Sequence, residues 1–540
     1  MKYIIVTGGI VSGLGKGIVA SSIGLLLQST GYKVTAIKID PYINVDADTL
    51  SPYEHGECYV LGDGKTADLD MGNYERFLNI QMTKHNNITT GSIYYTVIQK
   101  ERNGEYLGET VQIVPHITNE IKNRIHHVTR DSEFDICIIE LGGTLGDMET
   151  MPFIEALRQM SYESYYNNDK FCFVHVSLIL DNNGEMKTKP TQHSIEKLRS
   201  YGIIPNMLVL RTPVLLDDSM INKIGNRCGL RIDTIIQNNN LKNIYYVPNL
   251  FKSQGVVEKI LGIFNDVKEI KYDLKDYYGI LEHYNTEKKH IKVGIAGKYL
   301  KTPDTYLSII RAIESAAFFN NVIVDIIWID AEQYDDNYLE KLKCDGYIIP
   351  GGFGSRGING KLKVLKLCRE NKVPIFGICL GMQLMVIDCV NSIGYNCTSA
   401  EWINATDHLL VTSKDNNILP IIDIYQSQDG LLNGIMRLGN YITKLDISSH
   451  VYKLYNKEYV VERHRHKYEV NDKYLDIIQS SGLFVVGRDK DNNLIEIIEM
   501  DNKKHPFYIG CQFHPEFTST YSKPNPLFVG FINACKVNIL

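Results

Sequence analysis

The chain has 540 residues, 44% of them hydrophobic and 22% charged, with a formal net charge of −6. At about 100–200 residues per domain, that is room for two to four domains with real cores. The mild acidity gives no bulk electrostatic support to a nucleic-acid-coating role. No run of about 18 uninterrupted apolar residues is present to span a membrane. Eleven cysteines without a CxxC pair or framework spacing suit reduced thiols in a cytoplasmic protein better than disulfides.

In chain order, Tyr3–Thr7 is a first strand-like run, too short for a signal-peptide core and closed by Gly8-Gly9. Further β-branched runs at Lys33–Ile39, Ile136–Leu141, Phe171–Leu180 and Met207–Arg211 alternate with helix-length segments. The pattern resumes at Ile291–Ala296, Val322–Ile329, Gly346–Pro350 and Val373–Gly377. Val/Ile-rich strands with helical crossovers predict an α/β chain of two doubly wound parallel-sheet domains, with chemistry beyond the carboxyl ends of the strands. Residues 268–290 are charged and aperiodic, so the expected division is a domain over 1–267, a linker over 268–290 and a domain over 291–540. Asn-rich patches at 237–243 and 415–417 are expected as surface loops.

The first strand runs into Gly8-Gly9-Ile10-Val11-Ser12-Gly13-Leu14-Gly15-Lys16-Gly17, followed by a helical pattern over Ile18–Leu27. Glycines let backbone N–H groups approach phosphates, and the helix N-terminus adds favourable partial charge. The match to a P-loop is imperfect, because Gly17 replaces the hydroxyl residue that usually holds Mg²⁺. Carboxylates must then hold the ion. Asp70, and Glu140 at the end of a buried strand, are the candidates, against the alternative that both are surface acids or caps. Lys187-Thr188-Lys189-Pro190-Thr191-Gln192 offers cations and hydroxyls to a second anionic ligand, or is a charged surface turn.

The second half carries Gly377-Ile378-Cys379-Leu380-Gly381-Met382-Gln383 after a buried strand. This is a nucleophile elbow with Cys where serine hydrolases place Ser. The helix start favours thiolate, and the Leu380 N–H is poised to donate to an oxyanion. Gly351-Gly352-Phe353-Gly354, after another strand, could supply a second donor. A thiol nucleophile needs a base and an orienting group. Cys511-Gln512-Phe513-His514-Pro515-Glu516 offers both, on a strand-like lead-in. The competing reading is a buried structural cysteine and an unrelated histidine.

The elbow with His-Pro-Glu resembles the triad-type (class I) glutamine amidotransferases over about 291–540. Longer runs make a narrower match: Lys38–Asp46, Ser51–Glu57, Val114–Thr118, Lys187–His193, Glu462–Asn471 and Gln512–Thr520 resemble CTP synthases over nearly the whole chain. The resemblance implies a P-loop-type synthetase domain fused to a glutaminase domain. It implies that Ser12 touches pyrimidine-nucleotide phosphates, and that Gly13, Leu14, Gly15, Lys16, Gly17 and Ile18 cradle ATP. Lys38 would assist phosphoryl transfer, and Asp70 and Glu140 would hold Mg²⁺. Asp147, Met148, Glu149, Lys187, Thr188, Lys189, Pro190, Thr191, Gln192 and Lys223 would contact UTP, or CTP as feedback inhibitor. Asn239-Asn240-Leu241 stands near the adenine position. Gly352, Leu380, Gly381, Met382, Gln383, Glu401 and Arg465 would bind glutamine around the catalytic Cys379, His514 and Glu516, and His55 would lie near the ammonia passage.

The activity so implied is ATP-dependent amination of UTP, through a UTP phosphorylated on its 4-oxygen, with ammonia from glutamine. GTP activation, CTP inhibition, a homotetramer and filaments come from the same resemblance. Two other functions compete. One is another P-loop amidotransferase, against which the Lys187–Gln192 loop speaks. The other is an assembly protein that has lost catalysis, against which the complete set of Cys379, His514, Glu516 and Lys16 speaks.

Overall fold

In the computed structural model the described residues are 1–130, 133–266, 268–300, 302–333, 343–403, 418–424 and 434–537. They form two compact units. One comprises Met1–Thr49 with Asp70–Glu282, the other Leu50–Leu69 with His283–Leu540. The expected contiguous division therefore misses a segment of the N-terminal half, residues 50–69, that packs with the C-terminal half. Among the described residues no helix is long and apolar enough to cross a membrane, and none of the eleven cysteines forms a disulfide.

The first unit is built on strands β1 (Lys2–Gly8), β2 (Val34–Asp40), β3 (Asn87–Thr89), β4 (Ile136–Leu141), β5 (Lys170–Leu178), β6 (Met207–Thr212) and β7 (Ile235–Asn239). Their order is β7-β6-β5-β1-β4-β2-β3 and every pairing is parallel. Ile4 lies opposite both Ile138 and Cys172, which sets the central register. β2 and β4 are buried at every position, as strands covered on both faces by helices must be. On one face Ile5, Ile37 and Ile139 pack with Ile121, Ile125, Phe153 and Leu157.

Three expectations change here. The run Phe171–Leu180 does not stay one strand: Leu180–Asn182 turns away to pair with Glu185–Lys187 in a hairpin. Residues 237–239 lie in β7 rather than in a loop, while 415–417 lie outside the described residues. The presumed linker contains a helix, Lys275–Asn285. Tyr277, Ile280 and Leu281 are its buried apolar side chains, a short i, i+3, i+4 stripe that the surrounding charges obscure in the sequence.

The second unit carries β8 (Lys289–Gly297), β9 (Val322–Asp330), β10 (Gly346–Ile349), β11 (Ile375–Ile378), β12 (Arg437–Leu445), β13 (Tyr459–His466), β14 (Leu483–Asp489), β15 (Ile495–Met500) and β16 (Tyr508–Cys511). Their order is β9-β8-β10-β11-β16-β15-β14-β12-β13. From β9 to β16 the neighbours are parallel. From β16 to β13 they are antiparallel, so the sheet is mixed and not the purely parallel one expected. The reason is the short link between β14 and β15, with Asn493 at φ 58°, which cannot make the long crossover a parallel pair requires. β11 and β16 run side by side with Ile378 opposite Cys511, which brings two distant motifs to one sheet edge.

Residues 50–69 join this unit through specific bonds. Ser308 N–H donates to Glu57 Oε2 (2.9 Å), Asn440 N–H to Gly62 O (2.9 Å), and Arg463 Nη1 to Tyr59 Oη and Val60 O (both 3.0 Å).

Candidate active sites

Cys379 stands between β11 and helix α1 (Leu380–Ser392), at φ 53°, ψ −107°. A non-glycine residue in that region carries about 1–3 kcal/mol of strain that its surroundings must impose. Two glycines do so. A Cβ on Gly377 would stand 2.8 Å from the Gly381 carbonyl carbon, and one on Gly381 would overlap Ile349 O. The elbow is thus wedged against β10. The Cys379 N–H is held by Cys511 O at 2.7 Å. The thiol lies 3.8 Å from Arg465 O and 3.7 Å from Gln512 Nε2.

The His514 ring comes to the same point from the end of β16. Its Nδ1 bonds Glu516 Oε1 at 2.7 Å, the His514 backbone N–H donates to Arg463 O at 2.7 Å, and the ring stacks on Phe517 with centroids 5.2 Å apart. A Cβ placed on Gly351 would lie 2.9 Å from His514 Cε1 and 3.5 Å from Cys379 Cβ, so thiol and imidazole are neighbours. His514 Nε2 is buried and, among the described residues, has no partner at hydrogen-bond geometry, as in resting sites that tighten only with substrate. Burial disfavours the charged ring. The Glu516 carboxylate and the Cys379 sulfur outweigh it and raise the His514 pKa to about 10. The arrangement has the three roles of an acyl-transfer site: a thiol, a base, and a carboxylate that fixes the base's tautomer.

The residues expected around glutamine divide. Glu401 does not point freely into the site: its Oε1 accepts from Gly354 N–H at 2.7 Å and so pins the Gly351–Gly354 loop. Gln383 Nε2 donates to Tyr468 O (2.7 Å) and Gln512 Oε1 (3.2 Å). Leu380 and Met382 bury their side chains in the core, which leaves their backbone to meet a ligand. The Arg465 guanidinium lies 5.3 Å from the Phe353 ring centre, on the Gly352 loop.

In the first unit the loop after β1 opens outward: Ile10, Val11, Ser12 and Gly13 are exposed. Gly13 and Gly15 take φ 70° and 80°, left-handed turns that suit glycine. Lys16 opens helix α2 (Lys16–Ser29), folds back over Gly8 and donates to Gly143 O at 3.0 Å. Burial lowers its pKa. Lys38 Nζ sits between carboxylates, 2.5 Å from Asp70 Oδ2, 3.3 Å from Asp40 Oδ1 and 3.6 Å from Glu140 Oε1. Asp70 Oδ1 lies where a Cβ on Gly17 would be. The carboxylate therefore occupies the space that a P-loop hydroxyl residue would fill.

Asp70 and Glu140 shift in opposite directions. Burial raises both, but Lys38 outweighs it at Asp70, whose carboxyl ends below the usual range. Glu140 ends above it, through burial and the nearby Asp70 charge. Two carboxylates sharing one pocket behave this way. Among the described residues no cluster of three or more His, Cys, Asp or Glu side chains is placed to hold a metal. Mg²⁺ commonly takes one or two carboxylates and completes its shell with phosphates and water. Two hard-oxygen donors already gathered about a cation, Lys38, fit that ion.

Around the expected UTP contacts, Asp147, Met148 and Glu149 are exposed, and Asp147 accepts from the Thr144 hydroxyl. Lys187 pairs with Glu185 at 2.5 Å. Lys187 first, and Lys223 more weakly, hold that carboxyl below its usual range, which places Lys223 beside the hairpin. Lys189 is exposed, Pro190 partly so, and Gln192 Nε2 donates to Thr188 Oγ1 at 3.0 Å. Thr188 is buried, and Thr191 lies deepest. It is fully buried and its hydroxyl is spent on Leu178 O and Ser177 Oγ (3.1 Å each), so it supports the loop from below.

Sequence reasoning missed Tyr74, whose hydroxyl donates to Glu140 Oε2, and Lys298, which donates to Phe353 O with its pKa lowered to about 8 by burial and by Arg356. It also missed Lys361, fully buried beside the glycine loop. Only Lys361 left a sequence signal: it is a lysine on the apolar stripe Ile358, Leu365, Cys368.

Comparison with known proteins matches both halves of the chain to one family. A family model described as CTP synthase N-terminus matches residues 2–265, and one described as class-I glutamine amidotransferase matches 301–534. A CTP synthase of Caldanaerobacter subterraneus is 43% identical over 539 residues, 99% of this chain and 98% of that one. One of Methanosarcina acetivorans is 45% identical over 545 residues, 100% of this chain and 99% of that one. The solved glutaminase domain of Trypanosoma brucei CTPS with bound acivicin is 31% identical, with a TM-score of 0.41, and covers 46% of this chain and 94% of that one. With both halves matched and full-length relatives 43% and 45% identical, the chain belongs to the CTP synthase family.

Proposed function

We infer that the protein makes CTP from UTP, with ATP as phosphoryl donor and glutamine as nitrogen source. The observation that carries this is the presence in one chain of a Cys379/His514/Glu516 centre and a phosphate loop backed by Asp70 and Glu140. In the glutaminase unit Cys379 attacks the amide carbon of glutamine. The oxyanion is met by the Leu380 N–H at the helix start and by the Gly351–Gly352 loop. His514 holds the thiol proton and passes it to the leaving ammonia, leaving a thioester that water cleaves.

In the synthetase unit Lys16 and Lys38 meet the charge that moves between ATP and the 4-oxygen of UTP. That transfer turns the oxygen into a leaving group, which ammonia displaces. Asp70 and Glu140 would hold Mg²⁺, which supplies neutralisation of phosphate charge when bound. The Lys187–Gln192 loop and Lys223 recognise UTP, with Thr191 as their support, and CTP competes there as feedback inhibitor. Activation by GTP, assembly as a homotetramer and a cytoplasmic location extend the family's habits to this chain.

The test is Cys379→Ala. Glutamine-dependent CTP formation is lost and ammonia-dependent formation persists. A folded variant that loses both contradicts two separable sites, and one that loses neither contradicts the nucleophile.

A further inference from the structure

Lys361 lies on helix α3 (Ile358–Asn371) and is 0% exposed. Lysines are almost never so buried without a paired charge, yet among the described residues this one forms no ion pair. Its Nζ donates to one acceptor, Pro350 O, at 2.9 Å. Burial, with Lys298 nearby, brings its pKa down to about 7. The packing of α3 needs no amine there, since Ile358, Leu365 and Cys368 on the same stripe are apolar and buried.

The acceptor is informative. Pro350 follows β10 and directly precedes Gly351-Gly352. The Pro350–Gly351 bond is trans, so its C=O and N–H point from opposite edges of one rigid plane. Gly351 is the residue that abuts both His514 and Cys379. No hydrogen bond within the described residues occupies the N–H of Gly351 or Gly352.

We propose that Lys361 is a positioning residue of the glutaminase site: by holding the Pro350 carbonyl it fixes the plane of the Pro350–Gly351 peptide, and with it the loop donors that meet the oxyanion formed on Cys379. The inference rests on Cys379 being the nucleophile.

The test uses the full chain. Lys361→Met keeps the side chain's length and removes the donor, and Lys361→Leu is a second donor-free variant should the first not fold. Removing one oxyanion donor outright costs about 10²–10³ in kcat, so loosening the loop is expected to lower glutaminase kcat by about tenfold or more with KM little changed. Binding of glutamate γ-semialdehyde, whose thiohemiacetal carries the same oxyanion, weakens in parallel. Alkylation of Cys379 by iodoacetamide, which forms no oxyanion, keeps its rate, and ammonia-dependent CTP formation is unchanged. Wild-type kcat, a loss confined to KM, or a parallel fall in alkylation rate overturns the proposal. Cys379→Ala, run alongside, separates the two failures. If it still hydrolyses glutamine, the nucleophile is misassigned; if it is inactive while Lys361→Met behaves as wild type, only the role of Lys361 is wrong.

Discussion

Gly17→Ala is the sharpest probe of the phosphate site, because alanine is an ordinary helix residue and its one added carbon falls on the Asp70 carboxylate. A Cβ at position 17 would overlap Asp70 Oδ1 and stand 2.8 Å from its Cγ, against an ordinary contact of at least 3.4 Å. The Asp70 carboxyl must therefore retreat by at least about 0.6 Å. It cannot swing aside cheaply, since Lys38 holds Oδ2 at 2.5 Å and Asn73 holds Oδ1 at 3.3 Å. Releasing the bond to a charged partner costs about 1.5–3 kcal/mol. A displacement near 1 Å at a reacting centre costs about 10²-fold in rate, so half that distance with a lost ion pair predicts a fall of about tenfold or more in CTP formation. The fall should be equal with ammonia or glutamine as nitrogen source, while glutamate release from glutamine by Cys379 persists. Both are read by following CTP absorbance and glutamate in parallel. Folded Gly17→Ala with full ammonia-dependent synthesis would refute the reading that Asp70 fills the missing hydroxyl's place and acts from it.

Asp70→Asn or Glu140→Ala removes synthesis from both nitrogen sources and leaves glutaminase chemistry intact; full synthesis in either sinks its metal-binding role. Glu516→Gln leaves His514 without its orienting charge and lowers glutaminase kcat by an amount on the order of 10⁴-fold, measured as glutamate release. The same pair carries a pH signature. Against burial, Glu516 and Cys379 raise His514 from 6.5 to about 10, so their stabilisation is complete below pH 6.5 and is lost as pH rises through 10. The stability gap between wild type and Glu516→Gln, followed by denaturant unfolding, closes over that window; a gap that widens with pH contradicts the assignment. Arg437→Met strands the buried Glu469, Asp489 and Glu496, paired now at 3.1, 2.7 and 2.8 Å. Burial, eased only by Arg437, already pushes Glu496 to about 8 and Glu469 to about 7. Losing the partner costs about 3–5 kcal/mol, and a change under 1 kcal/mol in unfolding free energy would show the cluster to be proton-balanced without it.

The parts legible in the sequence are those whose chemistry is local. Gly377-Ile378-Cys379-Leu380-Gly381 announces an elbow because only glycine tolerates the approach of position 381 to Ile349 and of position 377 to the Gly381 backbone on either side of the strained Cys379. His514 and Glu516 are two residues apart, so their pairing is written in their spacing. The buried strands show as Val/Ile runs because a parallel sheet hides both faces.

What only the tertiary structure decided are relations between residues far apart in the chain. Asp70 against Gly17, Tyr74 on Glu140, Lys361 under Pro350 and Arg463 on residues 59–60 each join segments that no local period connects. The same holds for the mixed sheet: each strand alone reads as β, but its direction is set by the length of the link to its neighbour. Thr191 shows the converse error, a hydroxyl in a promising loop that the fold turns inward onto Leu178 and Ser177. A sequence records which chemistry each residue carries. Burial and partners, which decide whether that chemistry faces a ligand or the core, are properties of the packed chain.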